Sequence, residues 1–401
     1  MALACSIKFN ASPYAVYLPG QTVAGHIELH LSQATIFKGK GMCINTAEIH
    51  QAINVISDIK LHIKGIAEVS WYESIFVDGN PVLIPYHGRH QYMHHTKSVV
   101  AVPDASTVEF PAGLHRYEFS YALPSNLPTS LETEQGYVRY TAKVVLERPQ
   151  GQNRSFKVGF TVLRHVNLNH ERDMSIPAKT EKNKTYCCGP CRSDPLNISA
   201  QLPISGYVPG QTIAVKINIE NQTKKGIKKI STKLVQVISY ISQTPYCEVS
   251  DKTTIVAEVR CQGSEARANI SEEQYLLIPI VPPSSKSCPV LTVNYFVEVE
   301  VKVSGPNINP RVRIPITLGT VPLCASAIPA FDEAATVIMH EPRATTSSLE
   351  AYYELPPPSY EEAIDAMRIN ILDDGEASET TSDDYRPRYV VYRFGSTHKC
   401  D

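Results

Sequence analysis

Long hydrophobic runs are missing from this 401-residue sequence: the most apolar stretches, such as residues 275–281, are interrupted or followed by prolines. A helix needs ~20 apolar residues to span a bilayer, so any membrane association is expected to be peripheral. The amino terminus has no basic stretch leading into an apolar one, and Ala2 stands where myristoylation requires glycine. A secreted chain is therefore not expected. Cysteine is modest, 10 residues in all, and in a reducing compartment no structural disulfide is expected. The sequons at Asn10, Asn153, Asn183, Asn197, Asn221 and Asn269 then read as chance matches.

Catalytic signatures are missing too. There is no HExxH, no GxSxG elbow and no glycine-rich phosphate loop, so no enzyme activity, cofactor or metal is expected. Charge of one sign does not dominate either, the net being −2, but its distribution is uneven. Residues 326–401 hold 15 acidic and 6 basic side chains, net −9, which leaves residues 1–325 at +7. A mildly basic body suits an anionic leaflet or a phosphorylated peptide, with ordinary surface lysines as the simpler account. Nucleic acid is not indicated.

What is present is an internal repeat. Residues 17–24 read YLPGQTVA and residues 207–214 read YVPGQTIA, identical at six of eight positions and 190 residues apart. Proline presets φ and glycine accepts the positive φ beside it, so each copy is a tight turn. Each runs into alternating residues, Ile27 to Leu31 and Val215 to Ile219, and a period of two marks a half-buried strand. Solenoid repeats recur every ~20–50 residues, so this spacing indicates duplication of a whole domain.

The far ends of the copies rhyme as well: GYVRYTAKVVLE at 136–147 and VLTVNYFVEVEVKV at 290–303 each follow a proline-rich loop. Alternating runs recur between them, and no segment has convincing helical spacing. The expected fold is all-β, two tandem antiparallel sandwiches of immunoglobulin-like type with a disordered C-terminal tail. The expected boundaries are 1–170 for the first sandwich, 171–192 for a polar connector, 193–325 for the second and 326–401 for the tail. From residue 359 to 384 there are nine acidic residues against one arginine, too little apolar surface to offset the entropy of ordering.

Within the tail, residues 355–364 read LPPPSYEEAI, which contains PPxY as Pro357-Pro358-Ser359-Tyr360. With Pro356, the prolines preform a polyproline II helix that the aromatic groove of a WW domain reads. Pro356, Pro357, Pro358 and Tyr360 are thus the candidate WW-binding residues; a proline-rich spacer is the plainer alternative.

At this point the chain resembles the arrestin domain-containing proteins of the α-arrestin class, relatives of thioredoxin-interacting protein. The resemblance rests on residues 110–131, FPAGLHRYEFSYALPSNLPTSL, with the 136–140 strand, on residues 207–212 and the Asn294-Tyr295-Phe296 strand, and on the PPxY tail. It implies two arrestin-like sandwiches and an adaptor that recruits HECT-type E3 ubiquitin ligases, through their WW domains, to cytosolic segments of membrane receptors or transporters. Ubiquitination, endocytosis and sorting would follow, in the cytoplasm and peripherally at the plasma membrane and endosomes. Such proteins often carry two PPxY motifs and this chain has one; Arg386-Pro387-Arg388-Tyr389 is not a second. Alternative roles are a thioredoxin-binding redox or metabolic regulator, with Cys261 as a loose candidate for a mixed disulfide, and an arrestin-like vesicle-coat scaffold.

Three further features compete for attention. Cys187, Cys188 and Cys191 form a CCGPC cluster, but no helix follows a strand there to activate a thiol and no second pair completes a zinc site. His87, His90, His94 and His95 read as a solvated loop rather than a metal site. Tyr352 to Leu355 fits the common YxxΦ sorting pattern.

Overall fold

The structure is a computed structural model that describes residues 3–10, 14–38, 55–100, 106–148, 152–171, 173–186, 194–305, 308–324, 359–362 and 385–394. No α-helix occurs among these residues, and so none long and apolar enough to cross a membrane.

Strict alternation builds the strands. In Thr212–Asn221 the side chains of Ile213, Val215, Ile217 and Ile219 all point inward and are completely buried, while Lys216 and Asn218 lie on the other face. Fully burying one such side chain contributes roughly 1.5–3 kcal/mol. The first sandwich sets a three-stranded sheet, in the order Leu3–Phe9, Thr22–Leu31, Gly113–Ala122, against a larger one. The larger sheet runs Val16–Tyr17, Arg154–Val162, Gly136–Glu147, Asp58–Val77, Asn80–Val100. Phe9 bridges the layers, its ring 6.3 Å from Phe119 in its own sheet and 5.6 Å from Phe160 in the other.

The second sandwich repeats this plan. Its sheets run Ala178–Lys184, Leu196–Leu202, Thr212–Asn221, Asn269–Leu277 and Gly206–Tyr207, Arg311–Leu318, Leu291–Val303, Ile227–Ile241, Val249–Gln262. In each domain the tyrosine of the repeated turn ends a two-residue strand parallel to the domain's last long strand. The tyrosine of the matching central strand donates to a proline-loop carbonyl, Tyr140 to Pro128 at 2.8 Å and Tyr295 to Pro282 at 2.7 Å.

Three readings of the sequence are modified. Residues 178–184, taken as connector, form an edge strand whose ladder with Leu196–Leu202 covers all seven of its residues. None of its side chains is fully buried, so it needs no strongly apolar alternation, which is why its composition looks like a linker. His87, His90, His94 and His95 lie not in a loop but on Asn80–Val100, whose register is set by the Asp58–Val77 partner. Inside the stretch assigned to a disordered tail, Ser359–Glu362 and Arg388–Val391 pair as antiparallel strands.

Beyond Val69 the neighbouring strand ends at Gly136, and among the described residues the 58–77 and 80–100 strands continue with no third strand as a ribbon with Tyr72, Phe76, Val82 and Leu83 exposed. Its tip turns at Asp78 and Gly79, with φ of 51° and 81°. At its base Trp71 stacks on Tyr86 at 5.2 Å, and the Tyr86 hydroxyl meets that of Tyr246 from the second domain at 2.6 Å. A second junction hydrogen-bonds Thr320 N to the Val166 carbonyl at 2.9 Å.

Candidate functional site

The candidate site is the C-terminal hairpin and the seam that receives it. Of the residues expected to bind a WW domain, Pro356, Pro357 and Pro358 lie outside the described residues, as do Cys187, Cys188, Cys191 and the YxxΦ stretch. Tyr360 is described, and it sits in a β ladder opposite Val390, with Ser359 opposite Val391, Glu361 opposite Tyr389 and Glu362 opposite Arg388. Its ring is half-buried and packs against the hydrophobic core.

The partner strand belongs to a segment, residues 385–394, that composition alone does not mark as structured. It carries three tyrosines at spacings of four and three residues, and each hydroxyl donates to a main-chain carbonyl of the body: Tyr385 to Phe160 at 3.0 Å, Tyr389 to Ser130 at 3.1 Å, Tyr392 to Thr320 at 2.8 Å. Phe160 and Ser130 belong to the first domain and Thr320 to the second, so the segment straps the two together. Its backbone adds Tyr392 N to the Pro209 carbonyl at 3.1 Å and Arg388 N to Thr161 Oγ1 at 3.3 Å. Burial pushes the phenols of Tyr385 and Tyr389 well above their ordinary pKa, so both remain neutral donors.

Glycine makes the Tyr392 backbone contact possible. Gly210, in the repeated turn, has φ +90°, and a Cβ there would lie 1.9 Å from the Tyr392 carbonyl oxygen. Close to the strap is a buried ion pair: Arg139 Nε and Nη2 grip Glu132 at 2.7 and 2.9 Å. Burial raises the Glu132 pKa, with Arg139 pulling it down. Such a pair is costly to break, because either partner alone is an uncompensated buried charge.

Exposed ion pairs cross the hairpin. Glu362 pairs with Arg388 at 2.9 Å and Arg386 at 3.7 Å, and Glu361 with Arg393 at 3.1 Å. Hydrogen bonds from Ser359 and Arg393 lower the Glu361 pKa. Arg388 also lies 4.5 Å over the ring of Tyr14. The one available sequence signal was local: residues 389–392 read YVVY, four strand formers beside an acidic stretch.

The other candidates carry no chemistry of the expected kinds. His94 stacks on His62, His95 on Tyr121 and His90 against Tyr92, while His87 reaches Glu68 at 3.3 Å. Among the described residues no cluster of three or more His, Cys, Asp or Glu side chains is arranged to hold a metal ion. Cys5, Cys247, Cys261, Cys288 and Cys324 are free thiols. Burial and the neighbouring Glu272 raise the Cys261 pKa, the reverse of what a reactive thiolate requires.

Residues 44–169 match the family model of the arrestin (or S-antigen) N-terminal domain, and residues 192–323 that of the arrestin (or S-antigen) C-terminal domain. The chain is 28% identical over 332 residues to arrestin domain-containing protein 17 of Caenorhabditis elegans, covering 79% of this chain and 70% of that one. It is 27% identical over 330 residues to arrestin domain-containing protein 4 of Mus musculus, covering 79% and 71%. With arrestin domain-containing protein 1 of Homo sapiens the figures are 22% over 338 residues, 80% and 70%.

Proposed function

The chain belongs to the arrestin family, as a two-domain adaptor of the α-arrestin type, and from that premise we propose that it recruits WW-domain HECT-type E3 ubiquitin ligases to cytosolic segments of membrane receptors or transporters. The observation that carries the reading is the Pro357-Pro358-Ser359-Tyr360 motif, placed after two folded domains. The prolines present a polyproline II ridge to the aromatic groove of a WW domain, and the Tyr360 ring fills a second pocket. The sandwiches hold the cargo, and the chain itself does no bond-making chemistry; the ligase transfers ubiquitin. Its place of action is the cytoplasmic side of the plasma membrane and endosomes.

The test is a titration of a peptide spanning residues 352–367 against isolated WW domains. Truncating a buried aromatic anchor costs ~2 kcal/mol or more, so Tyr360→Ala weakens binding roughly thirtyfold. A phosphate on Tyr360 weakens it comparably, since it has to be desolvated in an aromatic pocket. Equal affinity of the three peptides would make the motif a spacer and remove the ligase from this reading.

A further inference from the structure

Residues 385–394 occupy the seam between the domains, and the motif tyrosine is tied to them. Among the described residues the Ser359–Glu362 and Arg388–Val391 ladder has no third strand. A two-stranded ladder is marginal by itself in water, so the motif strand depends on whatever anchors its partner. That anchor is the seam: the carbonyls of Phe160, Ser130 and Thr320 receive the three tyrosine hydroxyls, and Gly210 leaves room for the Tyr392 backbone. Two acids of the motif strand, Glu361 and Glu362, face three arginines of the strap.

A WW groove needs the tyrosine ring free and the chain around it in polyproline II geometry. In the ladder the Tyr360 backbone is committed to Val390 and its ring to the core. The two states exclude each other.

We propose that residues 385–394 are an intramolecular latch: seated in the inter-domain seam, they close the Pro357-Pro358-Ser359-Tyr360 motif to WW partners, and the motif opens when they leave. The latch rests on the WW-binding reading above and adds its regulation. An undocked strap carries the motif strand away with it, so partner binding and strap docking compete for one population of chains. If the open form is populated at about 10%, apparent WW affinity falls about tenfold below that of the free motif.

The experiment compares the affinity of one isolated WW domain for four ligands: the 352–367 peptide, the full chain, the chain ending after Asp384, and full-length Gly210→Ala. Full-length Gly20→Ala, which alters the matching turn where a Cβ meets nothing within 4 Å, is the control. The expected result is that the full chain and Gly20→Ala bind about tenfold more weakly than the peptide, and that the truncated and Gly210→Ala chains approach the peptide. Adding a peptide of residues 385–394 to the truncated chain restores the weak binding. Circular dichroism confirms that each chain is folded, and Gly210→Ala, which keeps every strap residue, guards against misfolding of the truncated form. A full chain that binds as tightly as the peptide overturns the latch and leaves the WW reading intact. So do folded Gly210→Ala and truncated chains that both stay at the affinity of the full chain. A peptide that binds no WW domain overturns the two together.

Discussion

A methyl group added at Gly20 would meet open space, whereas at Gly210 it would fall 1.9 Å from the Tyr392 carbonyl, although both glycines sit at the same step of the same turn with φ of 84° and 90°. Within the turns the chemistry is duplicated. Gln21 Oε1 accepts from Leu18 N as Gln211 Oε1 accepts from Val208 N. Gly20 N donates to Pro124 as Gly210 N donates to Ile278, and Leu123 N and Ile278 N donate back to Gln21 and Gln211. The hydrogen bonds that make the turn were kept in both copies; what lies outside the turn was not. One copy only shapes its sandwich, and the other also receives the strap.

The comparison is broken most severely in the cores. Ile27 and Ile217 are fully buried at matching positions 190 residues apart, and truncating either to alanine costs about 3 kcal/mol. Each domain closes its long ladders within itself, and among the described residues the cross-domain ladder contacts are isolated bridges such as His87 with Thr244. Urea denaturation is therefore expected to show two transitions, with each variant displacing its own. A single transition moved equally by both would merge the domains into one folding unit.

A smaller effect separates the turns themselves. Gly20→Ala forces a side chain into the left-handed region at about 1–2 kcal/mol, and Gly210→Ala adds the collision with Tyr392 to the same strain. Melting temperature should fall further for Gly210→Ala, and amide exchange at Tyr392 should rise only there. Equal losses would detach the strap from the turn.

The smallest difference lies at the surface. Glu28 of the first copy is matched by Asn218 of the second, which accepts from Ser271 at 2.9 Å. Hydrogen bonds from Lys8 and Arg116 hold the Glu28 pKa down to about 2 from 4.5. A depressed carboxylate pKa adds stability above its unfolded value and loses it as pH falls toward the folded one. Acid titration of the first domain should thus show a loss between about pH 4.5 and 2 that Glu28→Asn removes. An unchanged acid limb in that variant would mean that the carboxylate contributes nothing there.

The duplicated sandwich was legible because its signal is carried by many residues at once: a repeated turn, then strands whose every second side chain is apolar. The strand 178–184 was not, since an edge strand with no fully buried side chain places little demand on its sequence. The histidine-bearing strand was hidden because its residues 87–95 do not alternate in polarity, and its form is imposed by the partner strand 58–77. At the candidate site the PPxY motif could be read directly. That Tyr360 lies in a ladder could not, because the reason is distant: its partner strand is held by carbonyls at Ser130, Phe160 and Thr320, at least 72 positions along the chain from the tyrosines that bind them.

The ribbon that runs on past Val69 has mechanical meaning. It is stiffened by paired backbone along its length and, among the described residues, is bridged by another segment only near its base, where His87 meets Thr244, so it behaves as a lever arm with Trp71, Tyr86 and Tyr246 as its fulcrum. A load applied at Phe76 or Leu83 is delivered, at the base, to a stack shared with the second domain. Whatever grips the tip therefore pulls on one inter-domain junction, while the strap, bound at Thr320, spans the other.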